Sequence, residues 1–371
     1  MRFLSFGQSP VAGLDIGSHS IKVVELRRGR RSWRLCHAAY LRRPSDIDGG
    51  LDAMSTSSAD ENQTATATKP MTLVEAIREA VVLSGTNCRR VVCSLPGSDA
   101  VIRYFRFPSL SPKELTSAIR LEAEQVIPFD IDDVDLDYQV LPGTSSIDEN
   151  ASTGIFVAAR RSMVAERIRA TQEAGLEMAA IDSDTLSLVN CFLGAGPDLN
   201  DEAVAVLNIG AIDANLGIVR EGGHHFCRDI SLAGSVLERV LSRLKGIQPE
   251  QANNLRQSMM TGCSDCDLRE IMDYEEVLRG VLVPLIGELR KSMKYYKTQQ
   301  SVNVSQIYIC GGCSGVPRLG AVIAEGVGIP AQWWNPLHHV DVDLSTSHQI
   351  NIESQGPSMA VAMGLAMRED V

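Results

Sequence analysis

The sequence predicts an α/β protein whose chain begins a lobe twice, and three observations carry that prediction. Strand-like runs rich in β-branched and aromatic residues alternate with segments of helical periodicity along most of the chain. Residues 12–29, AGLDIGSHSIKVVELRRG, recur as residues 205–222, AVLNIGAIDANLGIVREG, at a constant offset of 193, each copy reading as strand, glycine turn, strand. Hydrophobic residues make up 44% and charged residues 22% of the 371, which is enough apolar side chain for a sizeable core in two or three domains.

Charge and composition exclude several classes. The balance of 35 Lys+Arg against 46 Asp+Glu gives a net charge of −11, which argues against nucleic acid as the main partner because phosphate neutralisation needs a basic surface. The longest apolar runs, such as Ala203 to Leu207 and Val281 to Ile286, fall short of the roughly 18 to 20 residues of a membrane helix. Met1 to Pro10 lacks the apolar centre of a signal peptide, so export is not expected. Nine cysteines in no dense framework read as thiols kept reduced in the cytosol.

Along the chain, the first hairpin turn is Asp15-Ile16-Gly17-Ser18. It places a carboxylate at the end of an apolar strand and a glycine where backbone can approach a ligand closely. Backbone amides of such a turn cradle phosphate, Asp15 can hold Mg²⁺ through water, and Ser18 can donate to a phosphate oxygen. Residues 44–70, PSDIDGGLDAMSTSSADENQTATATKP, contain almost no large apolar side chain and are expected to form a disordered loop. Ser111-Pro112-Lys113-Glu114 supplies an N-cap, a first-turn proline and a capping-box glutamate. Leu115, Ala118, Ile119, Glu122 and Val126 continue at helical spacing until Pro128. The five aspartates of the strip from Asp130 to Asp137 read as a solvated edge strand and turn. Leu141 to Ser152 is a second break in the pattern.

The second copy of the turn is Asn208-Ile209-Gly210-Ala211, and a third strand, Ile307 to Cys310, runs into Gly311-Gly312-Cys313-Ser314. There the missing side chains allow close approach by a flat group such as a base or ribose. Two Cys-x-x-Cys pairs, Cys263/Cys266 and Cys310/Cys313, have zinc-like spacing, but the second brackets the glycines of the third turn and the first would need outside ligands. Neither is assigned a metal. The pairs His224-His225 and His338-His339 lie in turn-like contexts and are expected to be solvated.

These residues resemble the actin-like ATPase superfamily, with its two phosphate turns, adenosine turn and terminal helix. Within it the sequence is similar to the PilM family, the cytoplasmic actin-like proteins of type IV pilus assembly. The resemblance rests on LDIGSHSIKVVEL at 14–26, RLEAEQVIPF at 120–129 with its following acidic strand, NIGA at 208–211, ELRKSMKYY at 288–296, the CGGCSGVPRLG segment and AVAMGLAMR at 360–368.

The resemblance implies a two-lobed actin-like ATPase fold with an FtsA-type extra subdomain in the first lobe. Residues 1–43, 71–90 and 177–202 would form the first-lobe core, 91–176 the extra subdomain, 203–356 the second lobe, and 357–371 a C-terminal helix returning to the first. ATP and Mg²⁺ would occupy the interlobe cleft. Asp15, Gly17 and Ser18 would face Asn208, Gly210 and Ala211 across it. Gly311, Gly312 and Ser314 would border the adenosine, and Glu288 with Ser292, one helical turn apart, would face base and ribose. Lys22 reads either as a phosphate contact or as a surface lysine, and Glu124 as a candidate for orienting water.

The expected partners are the cytoplasmic N-terminal peptide of PilN and other pilus assembly proteins, with membrane contact only through them. The protein would be cytoplasmic, recruited to the cytoplasmic face of the inner membrane. The family pattern has Asp where this chain has Asn208, and Thr at Ala214. An amide cannot accept a proton from water as a carboxylate can, so slow or absent hydrolysis is expected. Two other readings are an FtsA-like cytoskeletal protein, which would anchor by an amphipathic C-terminal helix where this sequence has Met367-Arg368-Glu369-Asp370-Val371, and a small-molecule kinase, which would need a carboxylate base.

Overall fold

The structure, a computed structural model, describes residues 10–29, 32–43, 71–141, 151–221, 225–231, 268–342 and 350–368, with a few positions between 242 and 252. The 44–70 loop, all but the ends of the 141–152 break, Cys263, Cys266 and His224 lie outside the described residues.

Two sheets dominate. The first joins β1 (Ala12–Ile16), β2 (Ser20–Arg28), β3 (Trp33–Arg42), β4 (Arg90–Leu95), β8 (Glu177–Ser183) and β14 (Asp341–Val342) in the order β14-β3-β2-β1-β4-β8. The second joins β9 (Ala203–Ile209), β10 (Ala214–Val219), β11 (Phe226–Ile230), β12 (Val304–Cys310) and β13 (Ala331–Trp333) in the order β11-β10-β9-β12-β13. Each repeat is an antiparallel hairpin, and each first strand then pairs in parallel on its other side, β1 with β4 and β9 with β12. The similarity seen in 18 residues therefore extends to the whole order β3-β2-β1-β4-β8 against β11-β10-β9-β12-β13.

Both sheets are covered on both faces, which is why β1 and β9 are apolar almost without interruption. Val23 and Leu14 face a core with α1 (Leu73–Ser84) and the end of α3 (Arg161–Glu173), whereas Val24 and Leu26 face the opposite side. That opposite side is a shared layer of α4 (Asp184–Ala195) and the C-terminal helix, which also receives Val204, Val206 and Val219 from the second sheet. The far face of the second sheet packs on the long α5 (Leu268–Gln300) and on α6 (Leu319–Val327). The result is five layers, helix, sheet, helix, sheet, helix, with one apolar core running through the middle layer.

The C-terminal helix, α7 (Ala360–Ala366), is buried along its whole length. A Cβ on Gly13 of β1 would lie 1.9 Å from the Ala362 carbonyl oxygen, and one on Gly364 would lie 1.7 Å from that of Ser187 in α4. Backbone meets backbone there, so neither position has room for a methyl group. Just beyond α7, the Arg368 guanidinium donates to Asp182 at 2.7 Å and ties this end of the chain to β8.

A third sheet, ordered β5-β7-β6, comes from β5 (Ala100–Pro108), β6 (Val134–Val140) and β7 (Ala151–Arg160). It carries α2 (Pro112–Val126), whose capping box forms as expected: Ser111 accepts from the Glu114 amide, and Glu114 accepts from the Ser111 amide at 2.9 Å. The buried stripe of α2 is Leu115, Ile119 and Ala123; Ala118, Glu122 and Val126 lie at its margins. β6 is the edge strand expected of the acidic strip.

The strands place two boundaries differently from the expected ones. β4 belongs to the first-lobe sheet and the end of α3 packs in its core, so the inserted unit spans β5 to β7 rather than 91–176. β14 pairs with β3, and Trp334 and Leu337 pack in the shared layer, so the chain returns to the first lobe before residue 357. Tertiary pairing, which no local pattern encodes, decides both.

Gly364→Ala should lower the unfolding free energy by about 3 kcal/mol in urea denaturation, because overpacking against backbone has no cheap relaxation. Gly280→Ala, in α5 with nothing near its missing methyl, should instead raise it by about 0.5–1 kcal/mol.

Candidate functional site

The two hairpin turns close in the same way. The Gly17 amide donates to the Ser20 carbonyl and the Gly210 amide to that of Asp213, both at 3.0 Å, and these pairs are equivalent under the repeat. The third turn lies against the second. Gly311, at φ +96°, is a left-handed position whose Cβ would meet Asn208 Oδ1 at 2.4 Å. The Cys313 amide donates to the Ile209 carbonyl at 3.1 Å, and its thiol to that of Gly210 at 3.3 Å. A side chain at Gly311 would push these turns apart.

Between the turns is a cleft of about 480 Å³. Of the residues singled out in the sequence, Asp15, Gly17, Ser18, Lys22, Asn208, Gly210, Ala211 and Gly312 line it. Gly311 lies beneath, and Ser314 is buried with its hydroxyl donating to the Gly311 carbonyl at 2.7 Å, so it braces the turn. Glu288 and Ser292 stand apart. Glu288 borders a separate depression with Pro284, Gly287 and Lys291, and Ser292 is fully buried, its hydroxyl accepting from Arg228, which also pairs with Glu288. Glu124 is exposed on α2 and does not line the cleft. Cys310 is fully buried, and His338 and His339 are exposed.

Lys22 is not a surface lysine. It is 9% exposed and donates to Asp15 Oδ2 at 2.9 Å, across a β1–β2 cross-strand pair. Burial by itself lowers its pKa, but the charge and hydrogen bond of Asp15 outweigh that and hold the ammonium above its usual value. The equivalent cross-strand pair in the second hairpin is Asn208 and Asn215, whose Nδ2 to Oδ1 hydrogen bond is 2.7 Å. Here the repeat replaces an ion pair by a neutral pair.

That neutral pair begins a chain of bonds between the lobes. Asn215 Nδ2 donates to Asp229 Oδ1 at 2.7 Å, and the Thr185 hydroxyl of first-lobe α4 donates to the same oxygen at 2.6 Å. Gly97 makes room for this: its Cβ would lie 2.1 Å from that of Asp229. Direction matters in the chain, because Asn215 gives its amide hydrogens to Asp229 and has only its carbonyl left for Asn208. Asn208 must therefore donate, which an ionised Asp could not do.

Sequence reasoning missed Asp184, Thr185, Asn215, Asp229 and Arg167. Asn215 was within reach, since it aligns with Lys22 in the repeat. The others lie far from the motifs in sequence and reach the cleft or its floor only through the fold. Asp184, at the start of α4, is half-buried in the cleft wall. Burial, then the nearby Asp15 charge, pushes its pKa up to about 8, against opposing effects of Ser94 and Arg167. Burial likewise raises Asp213 and Asp229.

Asp184 should make stability fall as pH rises. Between its ordinary value of 3.8 and about 8 the native state holds a proton that the unfolded state has lost. Asp184→Asn should match the parent near pH 4 and exceed it in thermal midpoint increasingly toward pH 8, read by scanning calorimetry. Asn208→Asp should cost about 1–3 kcal/mol in chemical denaturation, because it sets an acceptor against the Asn215 carbonyl.

The family model for the type IV pilus assembly protein PilM matches residues 13–370. A solved PilM-PilN type IV pilus biogenesis complex is 26% identical, covers 98% of this chain and 99% of that chain, and superposes with a TM-score of 0.79. The ethanolamine utilization protein EutJ from Carboxydothermus hydrogenoformans, at 13% identity, covers 98% of this chain and 90% of that chain with a TM-score of 0.50, a likeness of fold. The five-layered architecture is the two-lobed actin-like ATPase fold. With its model matched across nearly the whole length, the chain belongs to the type IV pilus assembly protein PilM family.

Proposed function

We propose that this chain is a nucleotide-binding scaffold of the type IV pilus inner-membrane assembly complex, taking Mg²⁺-ATP in the interlobe cleft and docking the N-terminal tail of PilN on its first lobe. The observation that carries the nucleotide reading is the pair of equivalent glycine turns, Gly17 and Gly210, lining one cleft from opposite lobes. Unsubstituted glycines there leave backbone open to phosphate oxygens.

The donor set fits magnesium brought in with the nucleotide. Among the described residues no group of three or more His, Cys, Asp or Glu could hold a metal. Mg²⁺, however, usually keeps several waters and binds through one or two carboxylates plus phosphate. Lys22 occupies Asp15 Oδ2 and leaves Oδ1 for such a water. Asp15, Asp99 and Asp213 line the same cleft, so a bare polyphosphate would meet repulsion that a bound cation relieves.

Asn208 supports slow or absent hydrolysis. Its amide is committed to Asn215, and it can supply no carboxylate to a water or metal. Glu124 is remote from the cleft and is not offered as a catalytic residue. The PilN reading rests on family membership and on the relative solved with PilN. Among the described residues no helix is long and apolar enough to cross a membrane, so docking on a membrane protein's cytoplasmic tail would bring this chain to the inner membrane.

Calorimetric titration tests both parts. Mg²⁺-ATP should bind, and Asp15→Asn should weaken it at least about tenfold while sparing Lys22 the loss of its polar partner that Asp15→Ala would impose. Turnover should stay far below the roughly 1 to 10³ per second of ordinary enzymes. A synthetic PilN tail peptide should bind with affinity that depends on nucleotide; absence of binding in either state would remove the scaffold reading.

A further inference from the structure

We propose that Arg167 is a ligand of the terminal phosphate of a bound nucleoside triphosphate, and that α3 passes this contact to the inserted β5-β7-β6 unit. The inference rests on the nucleotide reading of the cleft and extends it to a residue and a route outside the three turns.

Among the described residues, the Lys and Arg side chains that line the cleft are Lys22, Arg43 and Arg167. Lys22 is spent on Asp15, and Arg43 donates to the Gly17 carbonyl at 3.0 Å, so both support the first turn. The Arg167 guanidinium makes no hydrogen bond or ion pair among the described residues. It is half-buried and shares the cleft wall with Asp15 and Asp184. Its charge is felt inside the wall, where it opposes the upward shifts of Asp184 and Cys93. An arginine left without an acceptor in a partly desolvated cleft is suited to an incoming one, and its planar fork matches phosphate oxygens.

The other end of the same helix grips the inserted unit. Arg161 donates to the carbonyls of Asp132 at 2.9 Å and Val134 at 3.0 Å, and to the Asp135 carboxylate at 3.2 Å. Arg160 lies 4.3 Å over the Phe129 ring. Thus the PFDIDDVD segment, which the cleft does not use, is held by the first residue of α3 and the one before it. Arg161 and Arg167 are six positions apart, about 9 Å of helix. A helix is stiff over that length, so a pull on Arg167 moves the Arg160-Arg161 grip with it.

The test uses the full chain, with Arg167→Ala, Arg167→Gln and Arg161→Ala. Calorimetric affinities for Mg²⁺-ATP and Mg²⁺-ADP are measured, and amide hydrogen exchange is followed over residues 130–140. Both Arg167 variants should lose about ten- to hundredfold in ATP affinity, the worth of a charge-assisted contact. Their ADP affinity should change less than about twofold, a split that a merely structural role would not produce. In the parent, ATP and ADP should give different exchange in 130–140, and the Arg167 variants should abolish that difference. Arg161→Ala should keep the preference for ATP yet lose the exchange response. Equal loss of ATP and ADP affinity, loss of neither, or an exchange response that survives both substitutions would overturn the proposal. A parent protein that binds neither nucleotide would overturn the cleft reading itself, and this proposal with it.

Discussion

Gly13 and Gly364 let α7 lie directly on β1 and α4, and the position of the cleft depends on that contact. The added methyl at either site would come within 2 Å of a backbone carbonyl oxygen. Without that close approach α7 could not fill the layer shared by the two sheets, and the large side chains Phe192, Trp334 and Met359 would lose the floor they pack on. β1 and β9 each end in a cleft turn, so spacing between the sheets sets spacing between the turns. Packing distant from the cleft thus helps to set its geometry.

The second constraint is polar. Asp229 is half-buried, and its carboxylate accepts from Thr185 of one lobe and Asn215 of the other. A partly buried charge held by two short donors costs much to release, so this bond chain ties the two lobes together. It also explains Asn208 in structural terms. From sequence the position was a missing carboxylate; in the fold it is a donor that completes a chain reaching α4. The two hairpins therefore share backbone geometry and differ in charge, with a buried ion pair in one and a neutral amide pair in the other.

The inserted unit sits on this frame through different chemistry. Its own small core of Phe105, Leu115, Ile119, Ile127 and Phe156 closes around α2. Its ties to the rest of the chain combine Arg161 on the acidic strip, Arg160 on Phe129 and Tyr104 donating to Cys227 of β11 at 3.8 Å with apolar packing, Ile102 entering the shared layer and Ala100 and Ala159 meeting Leu95.

The sequence by itself determined the features whose causes are local. Apolar runs ending at Gly17 and Gly210 produced strands and turns in both copies, and Ser111 with Glu114 started α2 where expected. The likeness of the two hairpins was legible because a repeat preserves spacing. The tertiary structure alone decided which side chains share the cleft. Asp184 and Arg167 lie more than 20 residues from any turn motif, and only parallel pairing of β1 with β4 and β4 with β8 carries them to the cleft. It also decided that Lys22 is buried against Asp15 and that Glu288 and Ser292 answer to Arg228. Burial and long-range pairing are properties of the whole chain, and no window of neighbouring residues contains them.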